Sequence, residues 1–262
     1  MNKKLAAVQM ECITGNIDKN TKTIIGFLEK MKKEEPEIVL AVFPEMALYG
    51  YESLEKIHLI CDQNIINEYL EKIATVCKKL QVDAVVGGPY FSYKGLENAL
   101  YFADSKGSIQ HIYSKRYLIK QERRVFVPGD SYNTCKTEYG KIGFLICWDS
   151  AFPETARAYA KAGVDMLIIS AAWENPYGRQ WELAVCGRSF DNDLPVIASN
   201  RIGGSETVSF AGQSMITDCM GNILIQETKG LESYITMNLQ ELLSKDKRYD
   251  FGSQIEELKE EG

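Results

Sequence analysis

No apolar run in this 262-residue chain reaches the roughly 18 to 20 residues that a membrane-spanning helix needs, so no membrane role is expected. The start, Met1-Asn2-Lys3-Lys4-Leu5, lacks the apolar stretch of about 7 to 15 residues that marks a secretory signal, and a cytoplasmic location is expected. Basic charge is short as well: 30 Lys and Arg stand against 36 Asp and Glu, for a net charge of -6. Binding to phosphate backbones draws on clustered Lys and Arg, so nucleic acid is not expected as a partner. Histidine is limited to His58 and His111, which leaves a Ser-His-Asp or Cys-His device poorly supplied. The 7 cysteines are odd in number and contain no C-x-x-C pair, which argues against a disulfide framework and against a structural zinc site. No linker or low-complexity tract divides the chain. One domain over 1–262 is expected, with a charged tail from about 245 to 262 that either packs on a partner or frays.

What is present is the composition of an ordinary globular protein, 45% hydrophobic and 25% charged, able to bury a sizeable core. Short apolar runs recur from end to end. Leu5 to Met10 is followed by Ile17, Thr21, Ile24, Leu28 and Met31 on one helical face, ended by Glu34-Glu35-Pro36. Ile38 to Phe43 is apolar throughout, as a strand buried on both faces would be. A second helix is predicted from Asn64 to Leu80, then a strand at Ala84 to Gly88. Between Glu97 and Ile146 the strands Asn98 to Ala103, Ser108 to Tyr113 and Lys141 to Ile146 leave no room for crossover helices, which implies antiparallel pairing. Helices at Pro153 to Ala162 and Trp181 to Phe190 then alternate with strands at Asp165 to Ser170 and Pro195 to Asn200. Three further strands follow, at Ser214 to Thr217, Asn222 to Ile225 and Ser233 to Met237. Helical layers around a mixed sheet system make an α/β or α+β layered sandwich.

Three polar residues directly follow strong strand runs, where a rigid sheet can hold a reacting group still. Cys147 ends Gly143-Phe144-Leu145-Ile146 and precedes Trp148-Asp149-Ser150 and Phe152-Pro153-Glu154, a pattern that reads as strand, sharp turn, helix. A thiol there would sit beside backbone N–H groups and the positive end of a helix, both of which favour thiolate; the plain alternative is a small buried cysteine. Glu45 follows Phe43-Pro44, and a carboxylate in such apolar surroundings is poorly solvated and suited to proton transfer, or else it caps or faces solvent. Lys115 closes the strand through Tyr113-Ser114, where a lone lysine is most often solvated.

Taken together, Phe43-Pro44-Glu45, Lys115-Arg116-Tyr117-Leu118 and Cys147-Trp148-Asp149 with Phe152-Pro153-Glu154 resemble the nitrilase superfamily of carbon–nitrogen hydrolases. Val127-Pro128-Gly129-Asp130, Gly187 to Asn192, Ser199 to Gly203 and Phe210 to Ser214 also look like family landmarks, so the resemblance covers nearly the whole chain. It implies a four-layer α-β-β-α sandwich and a Glu-Lys-Cys triad at Glu45, Lys115 and Cys147. Glu122 matches a second family carboxylate that orients the lysine, the alternative being a surface Glu beside Arg123 and Arg124. The implied reaction needs no cofactor and no metal: Cys147 attacks an amide carbonyl, Glu45 moves the proton, and Lys115 with the Trp148 N–H stabilises the oxyanion. Family members pair across outer helices, which implies a homodimer or higher homo-oligomer through Pro153 to Ala162 and Trp181 to Phe190.

Cys147-Trp148-Asp149, in place of the Cys-Trp-Glu of nitrile-cleaving members, is more like amidase branches, so a small linear amide is expected as substrate, with an N-carbamoyl amine or a nitrile as the alternative. Trp173, Trp148 and Tyr51 are expected to line the substrate pocket, Trp173 having core packing as its other reading. A metal-dependent phosphodiesterase of similar layered form would need a late histidine, and none follows residue 111. A non-catalytic binding subunit would not need all three triad residues and Glu122.

Overall fold

The structure, a computed structural model, describes residues 2–52, 54, 57 and 61–244. The chain begins with β1 (Lys4–Gln9), α1 (Ile17–Glu34), β2 (Ile38–Val42), α2 (Gln63–Leu80), β3 (Asp83–Ser92), β4 (Gly95–Ala103) and β5 (Ile109–Ser114). It continues with β6 (Thr134–Thr137), β7 (Gly140–Ile146), α3 (Pro153–Lys161), β8 (Met166–Ala171), α4 (Gly178–Phe190) and β9 (Val196–Asn200). It closes with β10 (Met215–Thr217), β11 (Ile223–Gln226), β12 (Ser233–Asn238) and the short α5 (Leu239–Leu242).

The strands form two six-stranded sheets, in the order β12-β1-β2-β3-β4-β5 and β11-β10-β9-β8-β7-β6. Each has a parallel centre, β1-β2-β3 in one and β7-β8-β9 in the other, with antiparallel strands outside it. The sheets face each other across one core, in which Leu40, Val42, Val85 and Leu100 meet Phe144, Ile146, Ile168 and Ile197. α1 and α2 cover the outer face of the first sheet: Ile24, Leu28 and Met31 of α1, with Ile66, Leu70 and Ile73 of α2, pack on Ala6, Val8, Ala41 and Val86. On the second sheet, Ala156 and Tyr159 of α3 and Trp181 and Val185 of α4 do the same. The result is a single domain of four layers, α-β-β-α, as expected.

The run from Glu97 to Ile146 departs in one respect from its sequence reading. β4 and β5 do pair antiparallel, but β7 belongs to the other sheet, and its antiparallel partner is β6. β6 was not anticipated, because Thr134-Cys135-Lys136-Thr137 is short and largely polar. The segment from Lys115 to Asn133 therefore crosses from one sheet to the other, and Lys115 stands at the crossing. The charged tail at 245–262 lies outside the described residues, as does His58.

Two hydroxyls tie the sheets together near the carboxyl ends of the parallel strands: Ser170 donates to the Phe43 carbonyl at 2.8 Å and Ser199 to the Val8 carbonyl. Beyond Phe43 the chain turns sharply at Glu45 and Met46, with Met46 in the left-handed region at φ 53°. This elbow lies directly on β3. A Cβ on Gly87 would stand 2.5 Å from the Pro44 carbonyl oxygen and 2.6 Å from the Met46 nitrogen, so only glycine admits the approach. Replacing Gly87 with Ala is expected to lower stability by about 1–3 kcal/mol, as overpacking against backbone does. A denaturant midpoint equal to that of the unaltered chain would show that the elbow yields freely.

Candidate active site

The carboxyl ends of the two parallel centres converge at one place, the usual location for ligands in open α/β sheets. Glu45 follows β2, Lys115 follows β5 and Cys147 follows β7, so the three polar residues singled out in the sequence are brought together from two sheets. Lys115, Glu45 and Glu122 are all buried. The Lys115 ammonium donates to Glu45 Oε1 at 2.8 Å and to Glu122 Oε1 at 2.7 Å. Glu122 is thus a buried partner of the lysine rather than a surface residue.

Asn98 of β4, not anticipated from the sequence, lies between the two acids: its amide donates to Glu45 Oε1 at 2.7 Å and to Glu122 Oε1 at 3.2 Å. The remaining oxygens take backbone donors, Glu45 Oε2 from Ala172 N–H at 2.8 Å and Glu122 Oε2 from Ile119 N–H at 2.9 Å. Burial works against a charged Lys115, but the carboxylates, Glu45 foremost, outweigh it and hold the ammonium well above its usual range.

Cys147 sits in the left-handed region at φ 47°, a sparsely populated conformation for a non-glycine residue and one that recurs at functional turns. The element it opens is a 3-10 turn, Cys147–Ala151, and α3 begins only at Pro153. Here the structure corrects the expectation that the surroundings favour thiolate. Burial pushes the Cys147 thiol well above its ordinary range, and the Glu45 carboxylate adds to that. Lys115 opposes the shift, Glu122 adds to it, and the Ala172 N–H opposes it. The thiol therefore rests protonated beside a carboxylate.

Asp149 has a part that its sequence position did not reveal. It is fully buried, and its Oδ1 accepts the N–H groups of Arg116 at 3.1 Å and Tyr117 at 2.8 Å. Its Oδ2 accepts the Tyr113 hydroxyl at 2.8 Å and the Ile146 N–H at 3.1 Å. One carboxylate thus clamps the segment after Lys115 to the strand end before Cys147. Burial raises its pKa to about 6, the Tyr117 N–H and Lys115 opposing.

Aromatic rings wall the cluster. The Lys115 ammonium lies 5.9 Å from the centre of the Tyr51 ring, and Tyr51 packs edge-on against Phe210 at 6.1 Å. Trp148 and Trp173 meet at 5.7 Å, and Trp148 is 39% exposed. Landmark segments recognised in the sequence stand behind these groups as supports. Arg188 donates to the Ser150 carbonyl at 2.7 Å, Asn200 Oδ1 receives the Trp173 N–H at 2.7 Å, and Arg201 pairs with Glu52 at 2.9 Å, next to Tyr51. His111 lies apart from the cluster, near the outer end of β5. Among the described residues no three His, Cys, Asp or Glu side chains are grouped so as to hold a metal ion, and no helix is long and apolar enough to cross a membrane.

A model of the carbon-nitrogen hydrolase family matches residues 4–248. The chain belongs to that family, within the nitrilase superfamily. A Schizosaccharomyces pombe protein named "Probable nitrilase" is 31% identical over 255 residues, 95% of this chain and 93% of its own. The 2-oxoglutaramate amidase of Bacillus subtilis is 29% identical over 227 residues, 85% of each chain. Among solved structures, the amidase of Nesterenkonia sp. AN1 in complex with butyramide superposes with a TM-score of 0.83, covering 92% of this chain and 94% of its own at 18% identity, a likeness of fold.

Within this family member, Asp149→Asn offers one acceptor oxygen where two are needed, leaving a pair of buried donors unmet. A loss of roughly 2–4 kcal/mol is expected from two such groups. Because the folded pKa of about 6 lies above the ordinary 3.8, the contribution of Asp149 to stability is full below about pH 4 and falls as pH rises through about 6. The difference in denaturant midpoint between the unaltered protein and the Asn variant, followed from pH 4 to 7, should narrow as pH rises through about 6.

Proposed function

We propose that the chain hydrolyses the carbon–nitrogen bond of a small linear amide through a thioester on Cys147. The supporting observation is the convergence of a buried thiol, a carboxylate and a charged lysine at one place, in a member of a hydrolase family. Glu45 takes the Cys147 proton as sulfur attacks the carbonyl carbon, and the Lys115 ammonium and the Trp148 N–H stabilise the oxyanion. Collapse breaks the C–N bond while Glu45 returns its proton to nitrogen, so ammonia leaves and the acyl group stays on sulfur. A water molecule then gives a proton to Glu45 and attacks the thioester; the acid departs and the thiol regains its proton. A resting thiol suits this scheme, because proton and substrate carbonyl meet at Cys147 in the same step. Glu122 and Asn98 hold Lys115 and Glu45 in register.

Tyr51, Trp148 and Trp173 form a largely apolar wall, which favours a short, partly apolar acyl group. The name of the Bacillus subtilis relative, 2-oxoglutaramate amidase, supports a small linear amide as the first candidate, with N-carbamoyl amines and nitriles as alternatives. Cys12, Cys61, Cys77, Cys135, Cys147 and Cys186 are free thiols, which suits a reducing, cytoplasmic setting.

Ammonia release over a panel of ω-amides, aliphatic amides, N-carbamoyl amines and nitriles tests the reading. Cys147→Ala is expected to abolish turnover with the fold intact, and Glu45→Gln to reduce it by roughly a thousandfold or more, since it keeps the shape but cannot carry a proton. Turnover near that of the unaltered protein in either variant would reject the assignment.

A homodimer is proposed across α3 and α4. α4 turns Trp181 and Val185 inward yet leaves Leu183 55% exposed, and Tyr177 at its cap is 53% exposed, an apolar outer side that a second copy would cover. Leu183→Glu is expected to shift the protein toward monomer in sedimentation velocity, and an unchanged sedimentation coefficient would count against this face.

A further inference from the structure

A cavity of about 390 Å³ opens on the opposite side of the first sheet from Lys115, bounded by the end of the β3–β4 hairpin, β5 and the loop at 129–131. Tyr90, Tyr93, Lys94, Glu97, His111 and Ser114 contribute to its lining. Side chains alternate faces along a strand, so Glu97 and Ser114 point away from the cluster that their neighbours Asn98 and Lys115 join.

Glu97 is 6% exposed, a carboxylate sunk into the cavity floor. The Ser114 hydroxyl donates to Glu97 Oε2, and His111 Nε2 lies 2.8 Å from the same hydroxyl. Since the serine proton is directed to Glu97, His111 presents N–H to the serine oxygen. Burial lowers the pKa of His111, with Glu97 opposing, so the imidazole supplies no full positive charge at neutral pH. Among the described residues no donor reaches Glu97 Oε1. The nearby cation, Lys94, is engaged at the mouth with Asp130, whose side chain is 69% exposed. A buried carboxylate without a cation is costly, and this one faces open space. Beside it, the Tyr90 ring stacks on His111 with centres 4.1 Å apart, a flat π surface of the kind that attracts organic cations.

We propose that this cavity binds a small organic cation, a primary alkylammonium or guanidinium ion, with its charge on Glu97 and its carbon chain against the Tyr90–His111 stack. A metal ion is a poor occupant: one carboxylate and one imidazole whose Nε2 is already bound do not complete a coordination sphere. The inference stands apart from the hydrolase reading, because none of its residues belongs to the Glu45–Lys115–Cys147 cluster.

The test is a calorimetric titration of the full chain with n-butylammonium chloride, butylguanidinium chloride and neutral 1-butanol at constant ionic strength. One saturable site in the millimolar range or tighter is expected for at least one cation, with none for 1-butanol. Glu97→Gln keeps the shape and should weaken binding by roughly tenfold or more. Lys94→Met, on the surface, should tighten it severalfold, because Lys94 competes for the same negative potential. Should Glu97→Gln fail to fold, the opposite sign expected of Lys94→Met still decides the matter. No saturable binding of either cation, equal binding of 1-butanol, or affinity unmoved by the substitutions overturns the proposal.

Discussion

The buried ammonium of Lys115, held between two buried carboxylates, is the interaction on which the centre of this molecule depends. Two negative charges and one positive charge removed from water would cost many kcal/mol if left unmatched. Here every carboxylate oxygen has a partner: Lys115 and Asn98 on the two Oε1 atoms, Ala172 N–H and Ile119 N–H on the two Oε2 atoms. Taking away one member leaves the others desolvated and unpaired, the case in which a buried ion pair becomes strongly destabilising. The same completeness fixes geometry, since an ammonium tied to two immobile acids has little freedom to swing.

The excess negative charge of this cluster has a chemical consequence next door. Cys147 shares the buried volume with Glu45 and Glu122, and with burial they outweigh the attraction of Lys115 for a thiolate. Surroundings that keep sulfur neutral until a proton acceptor and an electrophile are both in place protect it from idle oxidation or alkylation, since thiolate is the reactive form. The left-handed backbone at Cys147 and at Met46 places the two turns in register, and the close approach at Gly87 leaves the Glu45 turn no slack.

Much of this was legible in the residues themselves, for physical reasons that also set the limit. Apolar runs such as Ile38 to Phe43 announce buried strands, and the polar residues that end such runs, Glu45, Lys115 and Cys147, pointed to a common site only in combination, through the family resemblance. The helical spacing of Ile24, Leu28 and Met31 gave the covering layer. Partnerships between distant strands leave no local trace. Nothing around Asn98 marks it as the bridge between Glu45 and Glu122, because a strand asparagine looks the same whichever side chain it meets. Asp149 was read only as a variant of the nucleophile segment, whereas its four hydrogen bonds come from residues 113, 116, 117 and 146. The assignment of β6 and β7 to the second sheet was likewise hidden, since a crossing and a hairpin differ in long-range pairing and not in local composition.

Because Glu45 and Lys115 belong to the first sheet and Cys147 and Ala172 to the second, the site exists only if the sheets do not slide. Interdigitated apolar side chains resist separation more than shear, since dispersion and hydrophobic burial are weakly directional. Directional contacts have to supply the rest. Ser170 to Phe43 and Ser199 to Val8 join the strand ends from sheet to sheet, Ala172 N–H to Glu45 does so at the centre, and Asp149 ties the segment after Lys115 to the strand before Cys147. These bonds surround the point where carbonyl, sulfur and ammonium would have to meet, and a misplacement of about 1 Å there can cost two orders of magnitude in rate. The apolar core therefore accounts for the fold, while a handful of hydrogen bonds across the inter-sheet gap accounts for the precision that the proposed chemistry requires.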